Sequence, residues 1–306
     1  MTEGAGLPAG TPEISIVIPA VNSFSLLRRT LTALTGQPRP GALEIVAVDR
    51  LPPADSDALR RQFPNVRIVS GAGLTIPRMR AAGIRAARGA IVAILEDHME
   101  VAPTWQDAML RGHAGGAAAV WGSVTNGCFS SVDWAAFFTE YSEHMTPVAE
   151  ESAPGPPGNN VSYKRAAIDA CGEDFFGDRW ESFVPPAFAR RGFFARCVEG
   201  AEAVHAKPFS VSHFVSQRWH ISRSYSGMRA NDLSWPRRML SAAAAPLLVP
   251  LRAWRIVRSV ARRPGTLPRR ALPRSLPWIV VFLTVRAAGD AAGYLLGEGG
   301  STLKVV

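Results

Sequence analysis

Cysteine is scarce in this chain of 306 residues: Cys128, Cys171 and Cys197 are the only three, and no two are spaced as C-x-x-C. This argues against a disulfide framework and a cysteine-held zinc, and a reducing, cytoplasmic setting is expected. Glycine loops of the kind that cradle phosphates are missing too. No G-x-x-x-x-G-K-[ST] occurs, and Gly71-Ala72-Gly73 is followed by Ile76 where a dinucleotide fingerprint needs its third glycine. No serine sits in G-x-S-x-G, which speaks against an α/β hydrolase. No uncharged apolar run reaches the roughly 18 residues that mark a transmembrane helix. The opening MTEGAGLPAGTP has neither the basic nor the apolar part of a secretory signal.

Acids are nearly absent from the last part of the chain. From Pro236 onward twelve Lys/Arg face only Asp290 and Glu298, whereas the preceding 235 residues hold 22 bases and 23 acids. A near-neutral body disfavours a nucleic-acid grip, and a basic, apolar tail suits an anionic membrane surface. With 47% hydrophobic and 19% charged residues, an ordered, core-forming protein is expected.

The first hundred residues alternate strand and helix signals. The runs ISIVIP (14–19), EIVAVD (44–49), VRIVS (66–70) and AIVAIL (90–95) read as buried strands. Helical spacing covers 23–35, 55–63 and 78–88, so a parallel sheet flanked by helices is expected, with its ligand site off the carboxyl ends of the strands. Further on, 121–125 reads as a strand, and 133–142, 164–171 and 181–191 as helices. Residues 149–160 form the clearest loop, and 262–277 look like a hinge between two amphipathic pieces. His113, His144 and His213 read as structural, and Trp134, Phe137, Phe138 and Tyr141 as core.

Three polar strand ends share one rim: Asn22, Asp49 and Glu96-Asp97-His98. Each could be a turn or helix cap. Glu96 and His98 stand two apart, so an extended chain points both to one side, a pairing that suits a divalent metal with oxygen and nitrogen ligands.

The order ISIVIPAVN, EIVAVD, RMRAAGIRAARGAIVAILEDH resembles the N-terminal half of family-2 glycosyltransferases with the GT-A fold. The resemblance spans roughly residues 13–230. It implies an α/β, Rossmann-like, mostly parallel sheet flanked by helices over 12–235, with a nucleotide-sugar half (12–112) and an acceptor half (113–235). Residues 236–306 would form an amphipathic, membrane-associating helical tail. Pro19 and Asn22 match the family's first turn, Asp49 its base-contacting aspartate, and Arg80, Gly83, Ala87 and Gly89 the helix before the metal motif. Glu96-Asp97-His98 stands where the family has D-x-D. Asn160 and Trp180 would lie on the acceptor side, Glu181 would be the catalytic base, and His205 would complete a metal site with Glu96 and His98. Arg80, Asp97, Arg218 and Arg223 would serve the donor.

These parts imply inverting transfer from a nucleotide sugar to a hydroxyl acceptor, lipid-linked or part of an envelope glycan, at the inner face of a membrane. Manganese or magnesium is the expected cofactor, with manganese favoured by the imidazole; a charged His98 contacting the diphosphate directly is the metal-free alternative. The altered metal motif, and Ser182 where a second acid is expected, motivate a competing reading: a catalytically silent nucleotide-sugar-binding module. A nucleotidyltransferase would need a glycine- and lysine-rich first loop, which Pro19-Ala-Val-Asn22 does not offer.

Overall fold

The computed structural model describes residues 11–148, 155–263 and 265–305, so residues 1–10 of the lead-in and 149–154 of the expected loop lie outside the described residues. The β-branched run Ile14–Ala20 forms β1, buried along its whole length. It pairs in parallel with β2 (Leu43–Asp49) and β4 (Ile91–Ile94), and β2 pairs in parallel with β3 (Arg67–Ser70). β1 and β2, flanked by strands on both sides, are buried along nearly their whole length, whereas the edge strand β3 is only half-buried. The crossovers are α1 (Phe24–Thr35), α2 (Pro53–Gln62) and α3 (Ile76–Ala86). Ser23 caps α1 by accepting from the Leu26 N–H, and Leu27, Leu31 and Leu34 face the core. Gly83 lets α3 press onto the sheet, since a Cβ there would lie 2.3 Å from Val17 Cγ1.

The sheet continues through β8 (Val161–Lys164), β6 (Ala119–Trp121) and β9 (Ala195–Cys197), giving the order β3-β2-β1-β4-β8-β6-β9. Only β8 runs antiparallel to its neighbours. A smaller sheet joins β5 (Met99–Val101), β10 (Ala203–His205) and β7 (Val124–Asn126). The architecture is the expected α/β one, with a mostly parallel sheet flanked by helices. Three details differ. The single strand expected at 121–125 is two, β6 and β7, broken where Gly122 passes so close to the Ala201 carbonyl that no Cβ would fit. The helix expected at 164–171 is α6 (Arg165–Cys171), with β8 before it. The helix expected at 181–191 is a 3-10 turn, Glu181–Phe183, followed by α8 (Val184–Arg190). Helices α4 (Trp105–Ala114), α5 (Ser131–Tyr141) and α7 (Glu173–Phe176) complete this part. Trp134, Phe137, Phe138 and Tyr141 on α5 are buried in the main core.

Four helices end the chain: α9 (Val211–Ala230), α10 (Trp235–Ala244), α11 (Leu248–Arg262) and α12 (Thr266–Leu296). Of the expected hinge over 262–277, the residues from Thr266 onward belong to α12, and Pro273 and Pro277 lie inside that helix. Both prolines are on its exposed side, where water can satisfy the carbonyls they leave unbonded. α12 packs along α9 and α5, with Ile279, Phe282 and Leu283 in the main core. Gly289 and Gly293 set its closeness: a Cβ on Gly293 would lie 2.4 Å from the Arg223 carbonyl oxygen on α9. By length and composition α12 is long and apolar enough to cross a membrane, contrary to expectation, because such a helix tolerates the charges of Arg286 and Asp290; 44% of its most apolar window is buried inside the protein.

Candidate active site

A cavity of about 390 Å³ opens off the carboxyl ends of β1 and β4 and runs to α9 and α12. The β1 turn supplies Pro19, Val21 and Asn22; the chain after β4 supplies Glu96, Asp97 and His98. Asp97 is 1% exposed, and its carboxylate accepts from the Val21 N–H (2.7 Å), the Asn22 N–H (2.8 Å), Asn22 Nδ2 (2.6 Å) and His98 Nδ1 (2.9 Å). Its lone pairs are therefore committed within the chain. Asp97 lines the cavity, where it clamps the first turn and orients His98.

Antiparallel pairing of β10 with β5 sets His205 opposite Met99, next to His98. The two Nε2 atoms are 3.1 Å apart, and Glu96 Oε2 lies 3.3 Å from His98 Nε2. One ligand atom from each of Glu96, His98 and His205 falls within 4.8 Å of the others, so these three residues could hold a metal ion. Burial works against charge on His98, but the Asp97 and Glu96 carboxylates outweigh it and raise its pKa to about 9. Burial and the charge of His98 lower His205 to about 3. Burial also opposes charge on Glu96, yet His98 and Arg80 hold its carboxyl well below the usual range. A proton on His98 Nε2 and a divalent cation would compete for the same place between Glu96 and His205.

Buried Arg80 on α3 contacts Glu181 through Nη1 and approaches Glu96 Oε1 at 3.9 Å through Nη2. Gly158 leaves room for the Glu181 carboxylate, since a Cβ there would strike it. Trp180 lines the cavity and donates its indole N–H to Ser224 Oγ at 2.8 Å.

The family model for glycosyl transferase family 2 matches residues 15–172 of this chain. The chain belongs to the family 2 glycosyltransferases. No curated protein matches it. The match covers β1 through α6 and so takes in the turn at Asn22, Arg80 and Glu96-Asp97-His98. The family's reaction is glycosyl transfer from a nucleotide sugar. Glu181, His205, Arg218 and α12 lie beyond the matched residues.

Two expected site residues of this glycosyltransferase, Asn160 and Arg223, sit away from the cavity, and a third, Asp49, stands at the carboxyl end of β2 outside the lining. Asn160 is fully buried away from the cavity; its side chain accepts from Trp105 Nε1 (2.8 Å) and donates to the Ser123 (3.0 Å) and Ala201 (2.9 Å) carbonyls. Its neighbour Asn159 lines the cavity instead and donates to Glu96 Oε2 (2.6 Å) and the Tyr141 hydroxyl (2.7 Å). Arg223 turns from the cavity to donate to the Gly297 carbonyl (3.3 Å) and rest on Gly299. Arg218 and Arg223 both belong to the long helix α9. Asp49 ends β2 beside Ala20, outside the lining, and accepts from the Leu51 N–H at 3.0 Å. Arg218 does line the cavity, in contact with Glu140. Lys207, Arg286 and Val305 line it as well and were not singled out in the sequence. The signal for Lys207 was there: it stands two residues after His205. His144, read as structural, also lines the cavity, with Nε2 3.1 Å from the Gly155 carbonyl.

Proposed function

We propose that this chain is an inverting glycosyltransferase that passes a sugar from a nucleoside diphosphate to an acceptor hydroxyl at an anionic membrane surface. The observation that carries this reading is that one cavity gathers the Glu96/His98/His205 cluster, buried Lys207 and the Arg80–Glu181 pair. Glu96, His98 and His205 would hold a divalent cation, and their one-oxygen, two-nitrogen donor set fits manganese better than magnesium. Such a cation supplies charge neutralisation for the departing diphosphate. Lys207 contributes positive charge to the same end of the cavity, in a setting dry enough to lower its own pKa. The nucleoside would extend over the rim at Asn22 and Asp49.

In the transfer itself the acceptor oxygen forms its bond to the anomeric carbon as the carbon–oxygen bond to the diphosphate breaks. The electron pair of that bond leaves with the diphosphate, and the hydroxyl proton passes to Glu181. Arg80 fixes the direction of the Glu181 carboxylate, and displacement by one in-line attack inverts the anomeric centre. The contact between Glu181 and Arg80 also favours the second reading, a silent donor-binding module, because a carboxylate held by a guanidinium is a hindered base. Calorimetry with UDP, GDP and dTDP sugars, with and without manganese, tests donor binding: no heat with any of them overturns both readings. Turnover that Glu181→Gln abolishes decides for the enzyme.

Membrane attachment rests on α10 and α11. They expose Trp235, Leu240, Leu247 and Trp254 among Arg237, Arg238, Arg255 and Arg258, the pairing of apolar and basic side chains that suits the headgroup region of an anionic bilayer.

A further inference from the structure

On its α9–α12 side the cavity brings arginines together with acids that already have partners. Arg286 on α12 lines the cavity, yet among the described residues no carboxylate lies within ion-pair distance of it. The acid one turn along, Asp290, is already taken by Arg252 Nη1 (3.1 Å) and the Ser226 hydroxyl (2.9 Å). Arg218, 8% exposed, contacts Glu140, but its Nε is buried without a partner. Three guanidiniums thus gather with two carboxylates, both of them engaged. Burial, together with the charges of Arg252 and Arg218, lowers the pKa of Arg286 to about 10. Like charges brought together out of water are costly unless an anion completes them. The close crossing of α9 and α12 at Gly289 and Gly293 fixes this arrangement, so it is built into the backbone.

We infer that the acceptor carries a phosphoryl group and that Arg286, with Arg218 beside it, holds that group at the α9–α12 end of the cavity. This rests on the glycosyltransferase reading and names the acceptor class for it. A planar carboxylate satisfies one guanidinium edge, whereas a tetrahedral phosphoryl group offers oxygens to two arginines on separate helices. The donor diphosphate is assigned to the place beside Glu96, His98 and Lys207 in the same cavity. Leu276, Val280 and Val281 are exposed on α12, so the phosphoryl group can reach the site on a lipid as well as on a soluble compound.

The test is the thermal unfolding midpoint of the full chain, wild type and Arg286→Gln. It is measured with manganese and whichever of UDP, GDP or dTDP protects best, and then with added inorganic phosphate or with vesicles of phosphatidylcholine with and without phosphatidic acid. Phosphate or phosphatidic acid should raise the wild-type midpoint by about 2–4 °C. Arg286→Gln should lose that rise and keep the protection by nucleotide. Protection by both anions marks a soluble phosphoryl acceptor as sufficient; protection by phosphatidic acid alone marks a lipid-borne one. Without ligands, Arg286→Gln should unfold at or above the wild-type midpoint, because a half-buried cation without an ion-pair partner has been removed. A clear drop would make Arg286 a structural strut and overturn the inference. So would anion protection equal in both proteins, anion protection in neither, or loss of nucleotide protection along with it. Nucleotides protecting neither protein would sink the glycosyltransferase reading, leaving the phosphate result to decide the anion site alone.

Discussion

His98 and His205 meet Nε2 to Nε2 at 3.1 Å although 107 residues separate them in the chain. Only the pairing of β5 with β10 brings them together, and the Ala206 N–H fixes the register by donating to the His98 carbonyl at 2.9 Å. With Asp97 on His98 Nδ1, the remaining nitrogen is aimed at the point where Glu96 and His205 converge.

Manganese binding should therefore need all three side chains. His205→Ala should abolish binding measurable by calorimetry. Asp97→Asn, which loosens the hold on His98 Nδ1 together with the clamp on the first turn, should weaken it by about 10–100-fold, the usual cost of losing an outer-shell partner. Unchanged manganese affinity in His205→Ala would remove the metal site.

Glu181→Gln should cut turnover by about 10²–10⁴-fold, the size of a general-base effect, with donor affinity nearly unchanged. Asp178 and Asp174, the neighbouring acids, line no part of the cavity, and Asp178 is held by Thr75 and Arg78. Full turnover in the variant would show that the proton goes elsewhere.

Vesicle binding should depend on the exposed faces of α10 and α11. Deleting 236–306 is not a clean test, because it strips Ile279, Phe282 and Leu283 from the core. Trp235→Ser with Trp254→Ser, or Arg255→Glu with Arg258→Glu, should release the protein from vesicles rich in anionic lipid. Salt should weaken wild-type binding as the screening length shortens to about 10 Å near 0.1 M. Flotation of both variants with the vesicles, as tight as wild type, would refute membrane docking by this face.

Stability should fall with acid through His113. Its ring is buried between the Ala117 carbonyl (3.2 Å) and the Ser162 hydroxyl (2.9 Å), and burial lowers its pKa from 6.5 to about 4. Above pH 6.5 the ring is neutral whether the chain is folded or not, so it contributes nothing. Between 6.5 and 4 the unfolded chain takes up a proton that the folded one refuses, and stability declines. His144, also lowered to about 4, adds to the same slope. Thermal midpoints from pH 7.5 to 4.5 should drop less steeply in His113→Gln; an identical slope would exonerate His113.

The first four strands were legible because Ile and Val dominate their short runs. Strands β5, β7 and β10 have three residues each, too few for any period to show, and they are what bring His205 to the site. The Asn159-Asn160 pair was recognised but which of the two lines the cavity was not, since the φ of 49° at Asn160 suits either asparagine. Arg223 could have been placed correctly: at five residues from Arg218 on one helix, it must face another side. Arg286 could not, because nothing local says that a basic residue in a C-terminal helix will roof a cavity built by the first half of the chain.

The carbonyl of Val305, which also lines the cavity, accepts from Arg50 Nη2 at 3.1 Å across 255 residues. The site is thus assembled from segments far apart in the chain. A nascent chain that has emerged only to the end of the family match carries Glu96, Asp97 and His98 but lacks Glu181, His205, Lys207, Arg218 and Arg286. Donor competence should arrive late in synthesis, after α12 has docked, and until then the ribosome-bound chain exposes the core face that α12 will cover.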